Sequence, residues 1–334
     1  MSSVPLSVLD LAPVLAGGST TEALNHTTEL AQRVEELGYQ RFWVAEHHNM
    51  PAIASSSPAV LIAHLAAATS TIRVGSGGVM LPNHAPLVVA EQFGTLSALH
   101  PGRVDLGIGR APGTDRRTAF ALRRTIEGLS AEEFPTELAD LIAMLAGDPE
   151  RLAAVPTADT MPQIWLLGSS GFSAQLAGLL GLPFSFAHHF SAANTEPALA
   201  LYRQNFRPSQ WLDAPYAMVA VNVTCADTDE AAERLARPGW LSLLALRSGR
   251  PIALPSAEEA AAHSFSELEL AFVEERKIGQ AIGSPETVQR ELRALLARTE
   301  ANELMITNQV YDIGDRVRSY ELVSKLALDV SSWS

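Results

Sequence analysis

Cysteine is almost absent from this sequence, whose 334 residues include only Cys225. A single thiol excludes an intramolecular disulfide framework and any zinc site built from several cysteines. Small secreted disulfide scaffolds and zinc-ribbon proteins are therefore excluded. The same scarcity favours a reducing compartment, and we expect the protein to be cytoplasmic.

Long apolar runs are also missing. No stretch reaches the roughly 18 consecutive apolar residues that a membrane-spanning helix needs. The amino-terminal residues lack the basic region and apolar run of a secretory signal. We therefore expect neither export nor a membrane partner.

Positive charge is scarce as well. The chain has 24 Lys and Arg against 37 Asp and Glu, which gives a formal net charge of −13. Such a chain repels a phosphate backbone at long range, so nucleic acid and anionic lipid are not expected partners. A local basic cluster remains compatible with the binding of a single phosphate.

What the sequence does contain is a repeated pattern of an apolar segment followed by a helical period. Near-continuous apolar runs are typical of parallel strands that are covered on both faces. Eight such units predict an α/β fold, a (β/α)8 TIM barrel, and the absence of a linker predicts one domain over 1–334. An open doubly wound sheet remains an alternative, because strand number alone does not prove closure. The eight strand candidates are residues 4–14, 41–48, 71–81, 103–109, 162–170, 183–190, 216–224 and 303–310.

Two connections, after strands 4 and 7, are too long for a simple βα unit and predict insertions. The first contains 134–154, which has the pattern of an additional helix. The second contains 247–266, whose Gly, Pro and Ser content predicts a mobile loop. Earlier in the chain, Ser19 and Glu22 predict a capping box for the first helix, and Gly38 predicts its end.

Ligands of such barrels bind at the carboxyl ends of the strands, where each apolar run turns polar. These positions are rich in His and Gly and lack a cluster of carboxylates, which argues against a divalent-metal hydrolase. We expect no bound metal. The candidate residues are Asp10, Glu46, His47, His48, Ser76, Gly77, Gly78, Arg110, Ser169, Ser170, Gly171, His188 and His189.

Two pairs of adjacent histidines follow strands 2 and 6. Because side chains alternate along a strand, one ring of His47 and His48 is expected to face the barrel mouth and the other to point away. The alternative is a hydrogen-bonded pair at a strand end without a chemical role. A zinc site is less favoured, because H-E-x-x-H is absent and adjacent histidines diverge. By the same reasoning, either His188 or His189 faces the mouth.

Glycines are concentrated in and after strand 3, at Gly75, Gly77 and Gly78. Glycine weakens a strand unless the backbone must be approached closely, for instance by a flat ring. A non-prolyl cis peptide or a bulge is another reason for such a cluster, and a bulge without any ligand remains an alternative.

A serine-rich turn lies between strand 5 and the next helix. Its backbone N–H groups and hydroxyls, with the helix dipole, are suited to a phosphate dianion. The alternative is an ordinary serine N-cap. The residues concerned are Ser169, Ser170, Gly171 and Ser173.

Arg110 ends strand 4, where its guanidinium can face a phosphate or a ring edge. A surface ion pair with Asp115 or Glu127 is the alternative. The surrounding "GIGRAPG" is not a dinucleotide fingerprint, because Pro112 occupies the third glycine position.

Several stretches together resemble the bacterial luciferase-like flavin monooxygenase superfamily, and the resemblance covers most of the chain. They include "GYQRFWVAEHHNM", "TIRVGSGGVMLPNHAPL", "PGRVDLGIGRAPGTD", "WLLGSSGFSAQLAGLLGLPFSFAHHF" and "IGSPETVQRELRALLARTEANELMITNQVYD". The resemblance implies a (β/α)8 barrel, commonly dimeric, that takes reduced FMN from a separate flavin reductase. It also implies a flavin-dependent monooxygenase that uses O2 to oxidise a small organic substrate through a C4a-peroxyflavin.

The resemblance also assigns roles to residues. His47 matches the catalytic histidine, which shuttles a proton, and Gly77 and Gly78 match a non-prolyl cis peptide that lies against the flavin ring. Arg110 matches a contact to the flavin or its phosphate. The phosphate loop corresponds to Ser169, Ser170, Gly171 and Ser173, and the chain departs from the luciferase α subunit by having Ser169 in place of a glutamate.

Two other functions remain open at this stage. One is an F420-dependent oxidoreductase on the same barrel, and the other is a flavin-binding protein without turnover. The helices after strands 2 and 3 carry apolar residues beyond a single stripe, which favours a homodimer interface. Burial of those residues in the barrel wall is the alternative.

Overall fold

Eight parallel strands form a closed barrel in the computed structural model, which describes residues 3–111, 116–123, 133–148, 150, 152–156 and 159–328. Neighbouring strands pair in chain order from β1 to β7, then β7 pairs with β9 and β9 with β1. The closed ring confirms the predicted TIM barrel and excludes the open sheet. Its strands are β1 Leu6–Asp10, β2 Arg41–Val44, β3 Arg73–Met80, β4 Val104–Gly109, β5 Gln163–Gly168, β6 Phe184–Ala187, β7 Ala217–Cys225 and β9 Glu303–Thr307.

A ninth strand, β8 at Gln280–Gly283, lies outside this ring. It pairs in parallel with the last residues of β7, from Asn222 to Cys225. This strand was not predicted from the sequence, because Gln280–Gly283 has two small residues and a single β-branched one, Ile282, which is too little for a recognisable strand pattern.

Helices connect the strands and cover the barrel. The predicted capping box is present, since Ser19 and Glu22 satisfy each other's backbone N–H groups, and Gly38 follows the helix with φ +81°. No described helix has both the length and the apolar character needed to cross a membrane. The helices are α1 Thr20–Glu36, α2 Pro58–Ala68, α3 Pro86–Leu99, α4 Arg116–Arg123, α5 Phe134–Ala146, α6 Gly171–Leu180, α7 Thr195–Asn205, α8 Asp229–Arg247, α9 Ala257–Ala262, α10 Glu267–Lys277, α11 Pro285–Thr299 and α12 Ile313–Ser324.

The two predicted insertions are present, but the secondary structure was predicted correctly only for the first. Helix α5 confirms the additional helix after strand 4. The prediction of a loop at 247–266 is wrong in part, because this segment contains α9, which begins with a capping box of Ser256 and Glu259. Leu254 is buried, and its backbone pairs with that of Leu15. The mobility of the segment stays a prediction.

Inside the barrel, large side chains form a packed layer below the carboxyl ends of the strands. Trp43 and Trp165 are fully buried and meet edge to face, with ring centroids 5.4 Å apart. Leu9, Met218 and Met305 pack in the same cluster. Large aromatic side chains contribute most of the buried apolar area in such a core and so stabilise it. We call the layer of Trp43, Trp165, Leu9, Met218 and Met305 the apolar floor of the cavity.

A buried ion network closes the opposite, amino-terminal end of the barrel. Arg41 donates to Glu303 at 3.0 Å, to Asp105 at 2.9 Å and to the Gln163 side chain at 2.8 Å. Both carboxylates are fully buried. Tyr216 also donates to Glu303, at 2.9 Å. We call Arg41, Asp105 and Glu303 the basal ion network.

Candidate functional site

A cavity of about 590 Å³ lies at the carboxyl ends of the strands. Seven of the eight barrel strands contribute to its wall, from Leu9 in β1 to Thr307 in β9, the segment after β2 contributes Ala45 and His47, and α8 covers one side. Volumes of about 300–1,000 Å³ are typical of small-molecule and cofactor sites. The position is the one at which TIM barrels bind ligands.

The eight residues predicted for catalysis or cofactor binding, His47 among them as the catalytic one, come together on this cavity with one exception. Seven of the eight line its wall, whereas Gly171 does not and is instead the first residue of α6. A Cβ added at Gly171 would contact Leu201 at 3.1 Å. The seven that line the cavity are His47, Gly77, Gly78, Arg110, Ser169, Ser170 and Ser173.

His47 follows β2, and its ring lines the cavity, while the next ring, His48, turns to Glu46. The two side chains therefore diverge as predicted. The Nδ1 atom of His47 is buried and has no hydrogen-bond partner among the described residues. Burial lowers the pKa of His47, Glu46 opposes this effect and His48 adds to it. The imidazole is therefore neutral at pH 7 and has a nitrogen available for a ligand or a proton.

Glu46 is fully buried beside His47 and joins two loops. Its carboxylate accepts hydrogen bonds from His48 and His84 at 2.8 Å each, from the Asn83 side chain at 3.2 Å and from the Met80 backbone at 3.0 Å. Burial alone would raise the pKa of Glu46, but the bonds from His84, His48 and Met80 lower it, so the group is ionised. This arrangement fixes the loop after β2 to the turn after β3.

The same cluster has the composition of a metal site. Ligand atoms of Glu46, His48 and His84 lie within 4.8 Å of one another. Both imidazoles are already hydrogen-bonded to one carboxylate oxygen, so the cluster is internally satisfied. This cluster was not predicted from the sequence, where zinc was considered only at His47 and His48, because His84 is distant along the chain. The expectation of no metal stays a prediction.

The peptide bond between Gly77 and Gly78 is cis, and the β3–β4 register shifts between Gly77 and Val79. Both predicted irregularities are therefore present on the cavity wall. A Cβ at Gly77 would lie 2.6 Å from Leu9 Cδ1, and one at Gly78 would lie 2.7 Å from the Gly107 carbonyl oxygen. The neighbouring strand β4 thus requires glycine at position 78, where a Cβ would meet backbone, whereas at Gly77 the side chain of Leu9 would have to move.

The serine-rich turn begins α6 at the cavity wall. Ser170 is the N-cap residue and has extended backbone, but its side chain makes no capping hydrogen bond. The alternative of an ordinary serine N-cap is therefore met in position but not in its side-chain hydrogen bond, and the phosphate role stays a prediction. The first N–H groups of a helix lack intrahelical partners and carry the positive end of the dipole, so this turn is suited to an anion.

Arg110 extends from β4 towards this turn. Its guanidinium lies 4.3 Å from the centroid of the Phe172 ring, in the first turn of α6. A cation and a helix start therefore adjoin on one wall of the cavity. The alternative partners Asp115 and Glu127 lie outside the described residues.

In the second histidine pair, as in the first, one side chain lines the cavity and the other points away from it. His189 lines the cavity and donates from Nδ1 to the Ala220 carbonyl at 3.0 Å. His188 is buried, with Nδ1 2.7 Å from the Thr195 hydroxyl. Burial, with smaller contributions from Arg298 and His189, lowers the pKa of His188 to about 4.

We expect His188 to make stability depend on pH between about 6.5 and 4. In the unfolded chain the His188 imidazole binds a proton near pH 6.5, whereas in the folded protein it does so only near pH 4. The neutral ring therefore favours folding above pH 6.5, and this contribution to stability is lost as the pH falls towards 4. The loss should be on the order of 3 kcal/mol. Urea unfolding of wild type and His188→Gln at several pH values measures it. An unchanged difference between the two proteins from pH 7 to pH 4 would contradict the assignment.

Sequence analysis missed one wall of the cavity, which α8 provides. The residues of α8 that face the cavity recur at helical spacing, and this spacing could have predicted the wall from the sequence. The helix also contains Pro238. We call the cavity-facing residues the α8 wall: Ala236, Gly239, Trp240, Leu243 and Leu246. Polar residues of other elements that were also missed are Ser185, Asn222, Thr224, Arg276, Gln280, Thr307 and Gln309.

The charge of the cavity is opposite to that of the chain. Among the described residues that line it, two are arginines, Arg110 and Arg276, and none is Asp or Glu. A cleft lined by one sign of charge concentrates ligands of the other sign. An anionic ligand is therefore favoured in spite of the net charge of −13.

Comparison with known proteins gives long matches. Residues 4–303 match the model of a family described as luciferase-like monooxygenase. A luciferase-like monooxygenase of Escherichia coli (strain K12) is 46% identical over 330 residues, covering 98% of this chain and 97% of its own. An N-acetyl-S-alkylcysteine monooxygenase of Bacillus subtilis (strain 168) is 36% identical over 333 residues, covering 97% and 98%.

Solved structures show the same architecture. Apo-MsnO8 superposes with a TM-score of 0.88 at 38% identity, covering 96% of this chain and 98% of its own. The oxygenating constituent of 3,6-diketocamphane monooxygenase from Pseudomonas putida, in complex with FMN, gives 0.71 at 20% identity and 98% of both chains. An F420-dependent secondary alcohol dehydrogenase gives 0.63 at 16% identity, covering 96% and 98%. The last two likenesses show the fold alone.

Proposed function

Because the chain belongs to the luciferase-like monooxygenase family, we propose that it uses reduced FMN and O2 to oxidise a small organic substrate. The observation that carries the proposal is the convergence of seven of the eight predicted site residues on one cavity. These residues come from four separate strand ends, so their meeting is a property of the folded barrel and not of one sequence motif.

The residues present fit FMN. Arg110 and the uncapped start of α6 would hold the phosphate, because they provide a cation and free N–H groups on one wall. The backbone of Gly77 and Gly78 and the apolar side chains of Leu9 and Met305 would border the ring. When bound, reduced FMN would supply the electrons that activate O2.

His47 would hold or transfer the proton that oxidation requires. Its lowered pKa keeps the ring neutral near pH 7, and its buried Nδ1 has no partner among the described residues. A neutral imidazole can accept a proton and then return it. The apolar floor and the α8 wall would limit access of water.

We expect Arg110→Gln to weaken FMN binding by about 10–100-fold, because a charge-assisted contact to phosphate is lost. Riboflavin lacks the phosphate, so its affinity should change little. Fluorescence titration of both flavins measures the two dissociation constants. Arg33→Gln on the surface of α1 is the control, since Arg33 is 53% exposed and pairs with Glu36. A parallel loss of affinity for FMN and riboflavin would show that Arg110 does not bind phosphate.

The function itself is tested by oxygen uptake with FMN reduced by an added flavin reductase. The substrate panel contains aldehydes, alkanes, sulfonates and thioethers; the last class is included because a 36% identical relative is named for N-acetyl-S-alkylcysteine. Incorporation of ¹⁸O from ¹⁸O2 into a product supports a monooxygenase. FMN binding without substrate-dependent oxygen uptake on the whole panel would favour the flavin-binding protein without turnover.

An F420-dependent oxidoreductase is the second candidate, because an F420-dependent dehydrogenase shares the fold at 16% identity. Relatives with much higher identity, 46% and 36%, are named as monooxygenases, which supports FMN. Parallel titrations with FMN and F420 separate the two. Binding of F420 alone would replace the proposal.

We also propose that a separate reductase supplies the flavin and that the protein is a homodimer. Apolar residues of α2 and α3 face outward as well as inward: Val60 is 72% exposed and Leu99 65%, whereas Ile62 and Phe93 are fully buried. A second copy that covers the outward faces would remove this apolar surface from water. Light scattering that gives the mass of one chain would exclude the dimer.

A further inference from the structure

Arg276 lies near the end of α10 and is one of the residues that line the cavity. Its Nε atom is buried and has no hydrogen-bond partner among the described residues. Its Nη1 atom donates to the Phe190 carbonyl at 3.3 Å, and the Phe272 ring lies 5.3 Å from the guanidinium carbon. Neither contact neutralises the charge of the guanidinium.

The adjacent residue, Lys277, is not among the cavity residues, and its charge is neutralised by two ion pairs. Lys277 pairs with Glu233 at 2.5 Å and with Glu274 at 2.9 Å. No ion pair joins Arg276 to a carboxylate in the described part of the chain, and no Asp or Glu lies among the described cavity residues. A partly buried arginine on the cavity wall, with an unpaired buried Nε atom and no carboxylate partner, is well placed to bind the negative charge of a ligand.

The α8 wall lies beside this cation. Lys277, next to Arg276, has its ammonium 4.5 Å from the ring centroid of Trp240, so α10 and α8 adjoin at the cavity. From Ala236 to Leu246 the wall extends about 15 Å along the helix. Leu246 and Phe190 line the cavity and are also exposed, at 44% and 65%. This region therefore combines an extended apolar surface, open at its rim, with one cation.

We propose that the cavity binds its oxidisable substrate as a small organic acid, with the carboxylate on Arg276 and the apolar body against the α8 wall. This inference rests on the proposed function, because the acid shares the cavity with FMN. FMN has one phosphate, for which Arg110 and the α6 start already provide a site. The second arginine is then available to a second anion.

The test compares a carboxylate with its uncharged counterpart. N-acetyl-S-benzylcysteine and its carboxamide are titrated, by calorimetry, into the flavin-free protein and into the protein loaded with oxidised FMN. We expect the acid to bind at least about tenfold more tightly than the amide, because its contact with the guanidinium is charge-assisted. Arg276→Gln should remove this preference, and Arg276→Lys should restore part of it.

Arg247→Gln is the matched control. Arg247 also lies over the Phe272 ring, at 4.3 Å, but is not among the cavity residues, so this variant should keep the preference for the acid. Equal binding of acid and amide by the wild type, or a preference retained in Arg276→Gln, would overturn the proposal. An Arg276→Gln variant that loses FMN affinity and keeps the preference would assign Arg276 to the phosphate and also overturn it.

The outcome is distinguishable from failure of the proposed function. If the wild type binds neither FMN nor reduced FMN, the monooxygenase assignment fails, but the preference for the acid is still measured on the flavin-free protein. If FMN binds and oxygen uptake occurs while acid and amide bind equally, only the inference about Arg276 fails.

Discussion

Substitution of His47 by alanine is expected to lower the rate of substrate oxidation by about 10²–10⁴-fold, the usual contribution of a positioned acid–base group. FMN binding should be retained, because the predicted phosphate contacts lie on Arg110 and the α6 start. The rate of the wild type should rise with pH through a pKa below 6.5 and then level off, since burial lowers the pKa of His47. Steady-state kinetics with reduced FMN and the best substrate of the panel measure both effects.

Two comparisons make the His47 result specific. His26→Ala on α1 changes a histidine that is not among the cavity residues and should leave the rate unchanged. His47→Ala should also lack the acidic limb of the pH profile. If His47→Ala retained the wild-type rate and the same limb, proton transfer would have to be assigned to another group.

Substitution of Arg41 by methionine is expected to lower the free energy of unfolding by about 3–5 kcal/mol, because the fully buried carboxylate of Glu303 loses its ion-pair partner, whereas Asp105 keeps its pair with Arg73 at 2.6 Å. Arg41 donates to both Asp105 and Glu303, and neither carboxylate has any exposed surface. Methionine retains the apolar stem of the side chain, so the loss reports mainly on charge and hydrogen bonding. Chemical unfolding at pH 7 followed by circular dichroism measures the difference.

The control for Arg41 is Arg33→Met. Arg33 and Glu36 form a pair in which the side chains are 53% and 61% exposed, and such pairs contribute about 0–1 kcal/mol. A loss for Arg41→Met no larger than that for Arg33→Met would show that the basal ion network does not stabilise the barrel.

Local signals in the sequence were sufficient for most of the fold. Apolar segments identified the eight barrel strands because each is covered on both faces, and Ser19 with Glu22 identified the start of α1 because a capping box involves residues three apart. The strand ends also located His47 and the Gly77–Gly78 pair, since the carboxyl ends of parallel strands share one edge.

What the sequence did not reveal depends on contacts between distant residues. Glu46 and His84 are 38 residues apart, and Arg276 reaches the cavity only because α10 packs near the loop after β6. No periodicity within one segment contains this information. The helix α9 is a different case, because the capping box of Ser256 and Glu259 is visible in the sequence. The nearby Gly and Pro residues nevertheless led to the prediction of a loop.

The α8 wall is carried by a helix that takes no part in the hydrogen-bonded ring of strands. The predicted flavin contacts, by contrast, are attached to strand ends that the barrel requires for closure. If the proposed function holds, substitutions within Asp229–Arg247 would change the substrate side of the cavity and leave the predicted flavin contacts in place. Exchange of this one contiguous helix for that of another family member would test this separation in a single chimaera.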